Sequence, residues 1–301
     1  MTGLRRNFFR SWFTFALFLT SFWLGALRPA AAQGRGSGGG GGGAGGGQTG
    51  WIERFDSIPG MLANGWGIEQ TGSPDSLFGV PGTGLASKSF DAKNVAIGAD
   101  GILRLKLSIS NALQSSGALV YTQQIYGYGT YEWCARMSST ATSADPTSPA
   151  YAGLPLSGGI SAGFVYVNNS QTEIDFEQAR SGSLDWFLYM ANWANLRPKS
   201  SAVKATAMPG NVPTYSEFKV YKFDWKKDYI EFFVDGTSLA FHTTNVPRTA
   251  AHVMVNHWGT NNPTGFGGPA QAGERYFYVD WVRYTPLLAI PVGGIVPCGP
   301  A

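Results

Sequence analysis

The chain is poor in the residues on which several kinds of function depend. Only two cysteines, Cys134 and Cys298, occur in 301 residues, too few for a disulfide framework or a zinc site. Their spacing leaves pairing with each other and two separate thiols equally open. Charged residues make up 14 % of the chain and the net charge is +3, much of it in Arg5, Arg6 and Arg10. A nucleic-acid binder would carry a basic cluster on its folded part, and none is visible. No long stretch has the spacing of an amphipathic helix, and no internal repeat is apparent.

What the chain does have is apolar residues, at 44 %, and aromatic ones, at 14 % with 10 Trp, 13 Tyr and 19 Phe. That is enough for a sizeable core, and flat rings with polar edges also suit a sugar-binding cleft. Near the N-terminus, Arg5, Arg6 and Arg10 precede an apolar run from Trp12 to Leu27 and then Ala30-Ala31-Ala32. A basic start, a short apolar stretch and small residues form the pattern of a secretory signal peptide, so 1–32 is expected to be removed after Ala32. This implies a secreted protein, extracellular or periplasmic, with no membrane association once cleaved; the Arg5-Arg6 pair also hints at twin-arginine export. Residues 33–50 are rich in glycine, which loses the most backbone entropy on ordering, and read as a flexible tether.

From Trp51 to Pro286 the pattern is one of strands. Leu103, Leu105, Leu107 and Ile109 alternate with Arg104, Lys106 and Ser108, a period of two. Phe218 to Phe223 and Ile230 to Val234 continue it, and Asp235-Gly236 closes a hairpin. Similar stretches run over 158–167, 172–179, 184–193, 252–258 and 276–285. Many short strands with glycine and asparagine turns predict an all-β sandwich. The Ser-, Thr-, Pro- and Ala-rich residues 138–157 form a loop long enough to shape a cleft.

The segment Thr172-Glu173-Ile174-Asp175-Phe176-Glu177-Gln178 carries the chemistry. On a strand Ile174 and Phe176 enter the core, while all three acids share the other face, neighbours about 7 Å apart along the backbone. Three carboxylates in a row repel, which gives a sheet no structural benefit. The crowding instead raises one carboxyl's pKa while another stays ionised. Glycoside hydrolysis needs that division of roles, and retaining enzymes hold two carboxyls about 5–5.5 Å apart. Glu173 and Glu177 are about 13 Å apart along a straight strand, so the pair requires a curved sheet on whose concave side the side chains lean together.

This segment resembles the active-site strand of glycoside hydrolase family 16, the jelly-roll family of lichenases, laminarinases and xyloglucan endotransglycosylases. The resemblance covers roughly residues 51–286, through Tyr128-Gly129-Thr130-Tyr131-Glu132, Phe223-Asp224-Trp225, Ile230 to Gly236, Met254-Val255-Asn256-His257-Trp258 and Asp280-Trp281-Val282-Arg283-Tyr284. It implies a concanavalin A-like jelly roll of two curved antiparallel sheets over 51–286, with a tail at 287–301. It further implies Glu173 as nucleophile, Glu177 as acid/base and Asp175 as the residue setting their charges. Phe164, Tyr166, Asn256 and Trp258 fall where the family contacts sugar, and Arg136 is expected to join them. His257, facing away from Asn256, reads as structural.

The chain departs from the family pattern in places. Trp133, Cys134 and Ala135 separate Glu132 from Arg136, where one residue is usual; Thr172 replaces the acid before the first glutamate; and Gln178 replaces a hydrophobe. No cofactor is expected for catalysis. The family's structural calcium would fall to the carbonyls of Arg54 and Gly101 and the side chain of Asp280, oxygen ligands that calcium favours, although a lone aspartate beside Trp281 is equally explained as a hydrogen-bonded strand end. A single residue separates Asp175 from Glu177, whereas laminarinase-like and agarase-like members carry an extra one, a bulge. The resemblance therefore implies an endo-β-1,3-1,4-glucanase acting on β-glucan polysaccharide, taken as a monomer. Its rivals are a laminarinase, a transglycosylase and a non-catalytic sugar-binding sandwich.

Overall fold

The computed structural model describes residues 49–139, 156–167, 170–181, 184–194, 200–207 and 215–299. The proposed leader, almost all of the glycine tether and most of the predicted cleft-shaping loop lie outside these residues. Among those described, strands dominate, joined by one six-residue helix, α1 (Ile58–Ala63), capped by the Ser57 side chain, which accepts from the Gly60 N–H. No helix among them is long and apolar enough to cross a membrane.

The strands form two curved sheets. The first is built from β2 (Trp66–Ile68), β6 (Gln114–Tyr126), β15 (Ala251–Gly259), β8 (Gly159–Val167), β9 (Thr172–Ser181), β10 (Leu184–Ala194) and β11 (Ser200–Ala207), paired in that order. The second runs through β5 (Leu103–Ile109), β16 (Gly273–Pro286), β7 (Gly129–Ser139), β12 (Lys219–Trp225), β13 (Ile230–Val234) and β14 (Thr237–His242). The short strands β1 (Trp51–Glu53) and β4 (Val95–Ile97) pair with β16 and β5. Strand β6 joins the two sheets: its first residues pair with β5 and, in parallel, with β3 (Ser87–Phe90). Its later residues pair with β15, where the register shifts between His252 and Met254, a bulge of the kind that bends a strand. The expected all-β jelly-roll sandwich is the observed fold.

Period-two patterning explains which faces meet. Ile174, Phe176, Val253 and Val255 from the first sheet pack with Tyr131, Trp133, Phe223 and Phe277 from the second, all buried in one core. The sheets approach closely at Gly163, where an added Cβ would lie 2.9 Å from the Trp133 ring. Two inward-pointing polar side chains find partners: Ser161 donates to Gln178 Oε1 at 3.3 Å, and His257 Nδ1 lies 2.8 Å from the Leu105 carbonyl. Burial, above all, holds the His257 pKa down to about 3, so it is neutral and structural, as its place in the pattern indicated. The predicted hairpin is present, with Asp235 and Gly236 both at positive φ, 47° and 79°, the paired conformation of a tight two-residue turn.

Cys134 and Cys298 form a disulfide. It fastens the residues after β16 to the outer face of the second sheet, where Trp281 Nε1 donates to the Pro297 carbonyl at 2.8 Å and the Gly299 N–H to Asp280 Oδ2 at 2.8 Å. Residues 297–299 of the tail are therefore held against the domain.

Candidate active site

Strand β9 places the acids. In antiparallel register Glu173 lies between Tyr166 of β8 and Trp193 of β10, Asp175 between Phe164 and Ala191, and Glu177 between Ala162 and Tyr189. One strand further, Tyr166 pairs with His252, Phe164 with Met254, and Ala162 with Asn256, with Trp258 opposite Ile160. Since directly paired residues share a face, Glu173, Asp175, Glu177, Phe164, Tyr166, Asn256 and Trp258 all stand on the side of the first sheet turned away from the core.

The three acids differ in surroundings. Asp175 is buried, whereas Glu173 and Glu177 keep part of their surface open. Burial of the Glu177 carboxyl, and then the neighbouring charge of Glu173, push its pKa up to about 8. One member of the pair thus holds a proton at neutral pH, the separation of roles that acid catalysis by a carboxyl requires. The register runs through Thr172–Ala179 without a bulge, and Thr172 spends its hydroxyl on the Thr249 carbonyl at 2.7 Å.

The apolar floor beside the acids contains Leu119, Tyr121, Phe164, Met254 and Trp258, all buried. Phe78 packs against Tyr121 at 4.9 Å, His252 at 5.7 Å and Tyr166 at 6.2 Å between ring centroids. Its chain segment is tied down by buried Glu69, which accepts from the Ser76 hydroxyl and from the Leu77 and Phe78 N–H groups. Phe164 and Trp258 are largely sealed, and the partly open rings nearest the acids are Tyr166, Tyr189 and Trp193. Asn256 is buried, and among the described residues its Oδ1 has no hydrogen-bond partner, which suits it to accept from a ligand hydroxyl. Sequence reasoning missed Tyr189 and Trp193. The signal was there, because they alternate with core residues Leu188 and Met190, but it becomes visible only once β9 and β10 are paired.

Arg136 is a correction. It sits on β7 with Glu132 and Cys134, on the face opposite Tyr131, Trp133 and Ala135, so it points outward from the second sheet. Its guanidinium stacks 4.5 Å from the centre of the Tyr278 ring. The two-residue shift keeps it in phase with Glu132, but that phase faces away from the acids, with the core in between.

Two relations connect the positions expected to hold calcium. An added Cβ on Gly101 would be 3.8 Å from the Arg54 carbonyl, and the Asp280 carboxyl senses the charges of both Arg54 and Asp100. Burial raises the Asp280 pKa, and the Gly299 N–H draws it back. Two carbonyls and a carboxylate fit a hard cation.

The sequence model of glycosyl hydrolases family 16 matches residues 86–283. The chain is 29 % identical over 208 residues to a β-glucanase of Paenibacillus macerans, spanning 67 % of this chain and 78 % of that protein. It is 31 % identical over 201 residues to a β-glucanase of Paenibacillus polymyxa, spanning 64 % and 74 %. Among solved structures, a Bacillus licheniformis β-glucanase is similar in fold at TM-score 0.61 and 21 % identity, covering 79 % of this chain and 98 % of that one. The laminarinase catalytic domain of Thermotoga maritima is similar at TM-score 0.59 and 18 % identity, covering 78 % and 96 %. With two carboxyls of divided ionisation on the outer face of a jelly roll, the chain belongs to glycosyl hydrolases family 16 and is a glycoside hydrolase.

Proposed function

We propose that the protein is a secreted, monomeric, retaining endo-β-glucanase that hydrolyses β-1,3-1,4-glucan by double displacement. In this reading Glu173 attacks the anomeric carbon while Glu177 gives its proton to the departing glycosidic oxygen, so the sugar–oxygen bond breaks as the sugar–carboxylate ester forms. Glu177, now ionised, takes a proton from water; the water oxygen attacks the same carbon and Glu173 leaves as carboxylate. Asp175, buried between them on the same strand face, is the residue assigned to setting their charge states. Tyr166, Tyr189 and Trp193 offer ring faces to the sugars, and Asn256 Oδ1 accepts a hydroxyl.

The observation that carries this reading is the lifting of the Glu177 carboxyl to about 8 beside Glu173. The names of the Paenibacillus relatives support a β-glucan substrate, and the bulge-free register through the acids favours the β-1,4-containing glucans. Secretion follows from the leader pattern at 1–32, with 33–50 as tether to the catalytic domain 51–286. We assign a structural calcium to the Arg54 and Gly101 carbonyls and Asp280; melting in calcium should exceed melting in chelator, and Asp280→Asn should erase that difference.

The test is to incubate the purified protein with barley glucan, laminarin, xyloglucan and agarose and measure new reducing ends, with and without oligosaccharide acceptors. The expected result is fastest release from barley glucan, with the β-anomer formed first. A preference for laminarin would reassign the linkage, acceptor-dependent products would identify a transglycosylase, and silence on all four would remove the glucanase reading.

A further inference from the structure

Beyond the acids and the floor, one loop reaches across the site. Residues 260–268 leave β15 and return as a tight turn closed by the Asn262–Gly268 bridge. At its tip the ring of Phe266 meets Tyr189 edge-on, centroids 4.8 Å apart at 80°, and lies tilted over Trp258 at 6.2 Å. Tyr189 is on β10 and Trp258 on β15, so a ring touching both must pass over the two strands between them, β9 and β8. On β9 the residue paired with Tyr189 is Glu177, and Ala179 follows it on the same face. The ring therefore lies over the Glu177–Ala179 stretch.

The loop is built to hold that ring in place. The Gly158 N–H donates to the Gly267 carbonyl at 2.8 Å, and the Thr260 N–H to the Gly158 carbonyl at 2.8 Å. The Ala270 N–H donates to Asn261 Oδ1 at 2.9 Å. Gly267 has φ +85°, and an added Cβ would come within 2.4 Å of Thr260 Cγ2 and 3.0 Å of Ile160 Cδ1, so this position needs glycine on both counts. Beneath it, fully buried Arg275 donates to the Ser157, Gln271 and Gly273 carbonyls, fixing the strand entry on which the loop rests.

We infer that Phe266 is a positioning residue for Glu177: its ring roofs the carboxyl, keeps water from it, and so holds the proton that the leaving group will take. This rests on the reading of Glu177 as the acid/base. Burial away from water raises the Glu177 value more than the charge of Glu173 does, in keeping with an apolar roof. Among the described residues, the ionisable groups facing Glu177 are Glu173 and Asp175 on its own strand, Tyr189 from β10, and Tyr166 from β8 with His252 behind it on β15. Residues 260–268 contain no ionisable side chain, so the loop acts by excluding solvent and adds no charge.

The experiment titrates Glu177 by carbon-detected NMR on glutamate-labelled protein, using Glu177→Gln to assign the signal, in wild type, Phe266→Ala, Phe266→Gln and Phe266→Leu. The pH dependence of kcat/KM is recorded alongside. Opening the roof with Ala, or wetting it with the similar-sized Gln, should lower the Glu177 midpoint by about one pH unit and move the alkaline limb down with it. Leu should keep both near wild type. If Glu177 titrates at the wild-type midpoint in the Ala and Gln variants, the roof is refuted, whatever happens to activity. If the midpoint moves while the alkaline limb does not, the roof stands and the acid/base assignment of Glu177 fails.

Discussion

Glu132 and Arg283 are locked together by two contacts on the outer face of the second sheet, Arg283 Nε to Oε2 at 2.6 Å and Nη2 to Oε1 at 3.0 Å. The same guanidinium donates to the Gly294 carbonyl at 2.7 Å, so the pair also holds the C-terminal tail. Removing one member of a buried pair strands the other, which costs about 3–5 kcal/mol. Glu132→Ala should therefore lower stability by about that much in denaturant melts. The double variant Glu132→Leu with Arg283→Leu should recover a large part of the loss.

The disulfide has a separate signature. It spans 164 residues of sequence, and cross-links closing long loops typically contribute about 2–4 kcal/mol. A reducing agent should lower the melting temperature of wild type by roughly 4–16 °C and leave Cys298→Ser unchanged. Turnover of soluble glucan should stay near wild type in both, because the bond lies on the far side of the core from Glu173 and Glu177.

The raised Glu177 carboxyl makes stability depend on pH. In the unfolded chain it releases its proton near the ordinary carboxylate value, in the folded protein only near 8. Between those values the folded state binds more protons, so stability must fall as pH climbs from about 4.5 to about 8 and level off above. Glu177→Gln removes this burden. Its melting point should match wild type at pH 4 and exceed it at pH 8.5 by at least roughly 2–4 °C, about 1 kcal/mol. Equal melting points at both pH values would contradict a raised folded-state pKa.

Arg136 offers a check on placement. Stacked on Tyr278 outside the second sheet, it should contribute packing and nothing to substrate affinity. Arg136→Met is expected to leave KM unchanged, and a several-fold rise in KM would put the residue back in the cleft.

What could be read in the chain and what could not divide along one physical line. Alternation along a single strand was legible: it put Ile174 and Phe176 inside and the three acids outside, and it set His257 against the core. The Asp235-Gly236 turn was legible because few residues adopt its backbone angles. What depends on which strand lies beside which was hidden from the alternation itself, and the family resemblance supplied only part of it. Tyr189 and Trp193 flank the acids only through the β9–β10 register, and Arg136 was misplaced because the phase of a strand says nothing about which sheet it joins. Phe266 sits among Asn, Pro, Thr and Gly residues, and only the chain's path back over β8 and β9 brings it to Glu177. Arg275 lay unnoticed in a strand pattern, since its buried bonds go to backbone carbonyls of a distant loop.

The roles of the two glutamates are separated most directly by azide rescue on an activated aryl β-glucoside. With Glu173→Ala, azide fills the space of the lost nucleophile and attacks once, which should give the α-glycosyl azide. With Glu177→Ala, azide attacks the covalent intermediate still formed on Glu173, which should give the β-glycosyl azide. An α-product from Glu177→Ala and a β-product from Glu173→Ala would reverse the assignment, and rescue of neither variant would contradict double displacement by this pair.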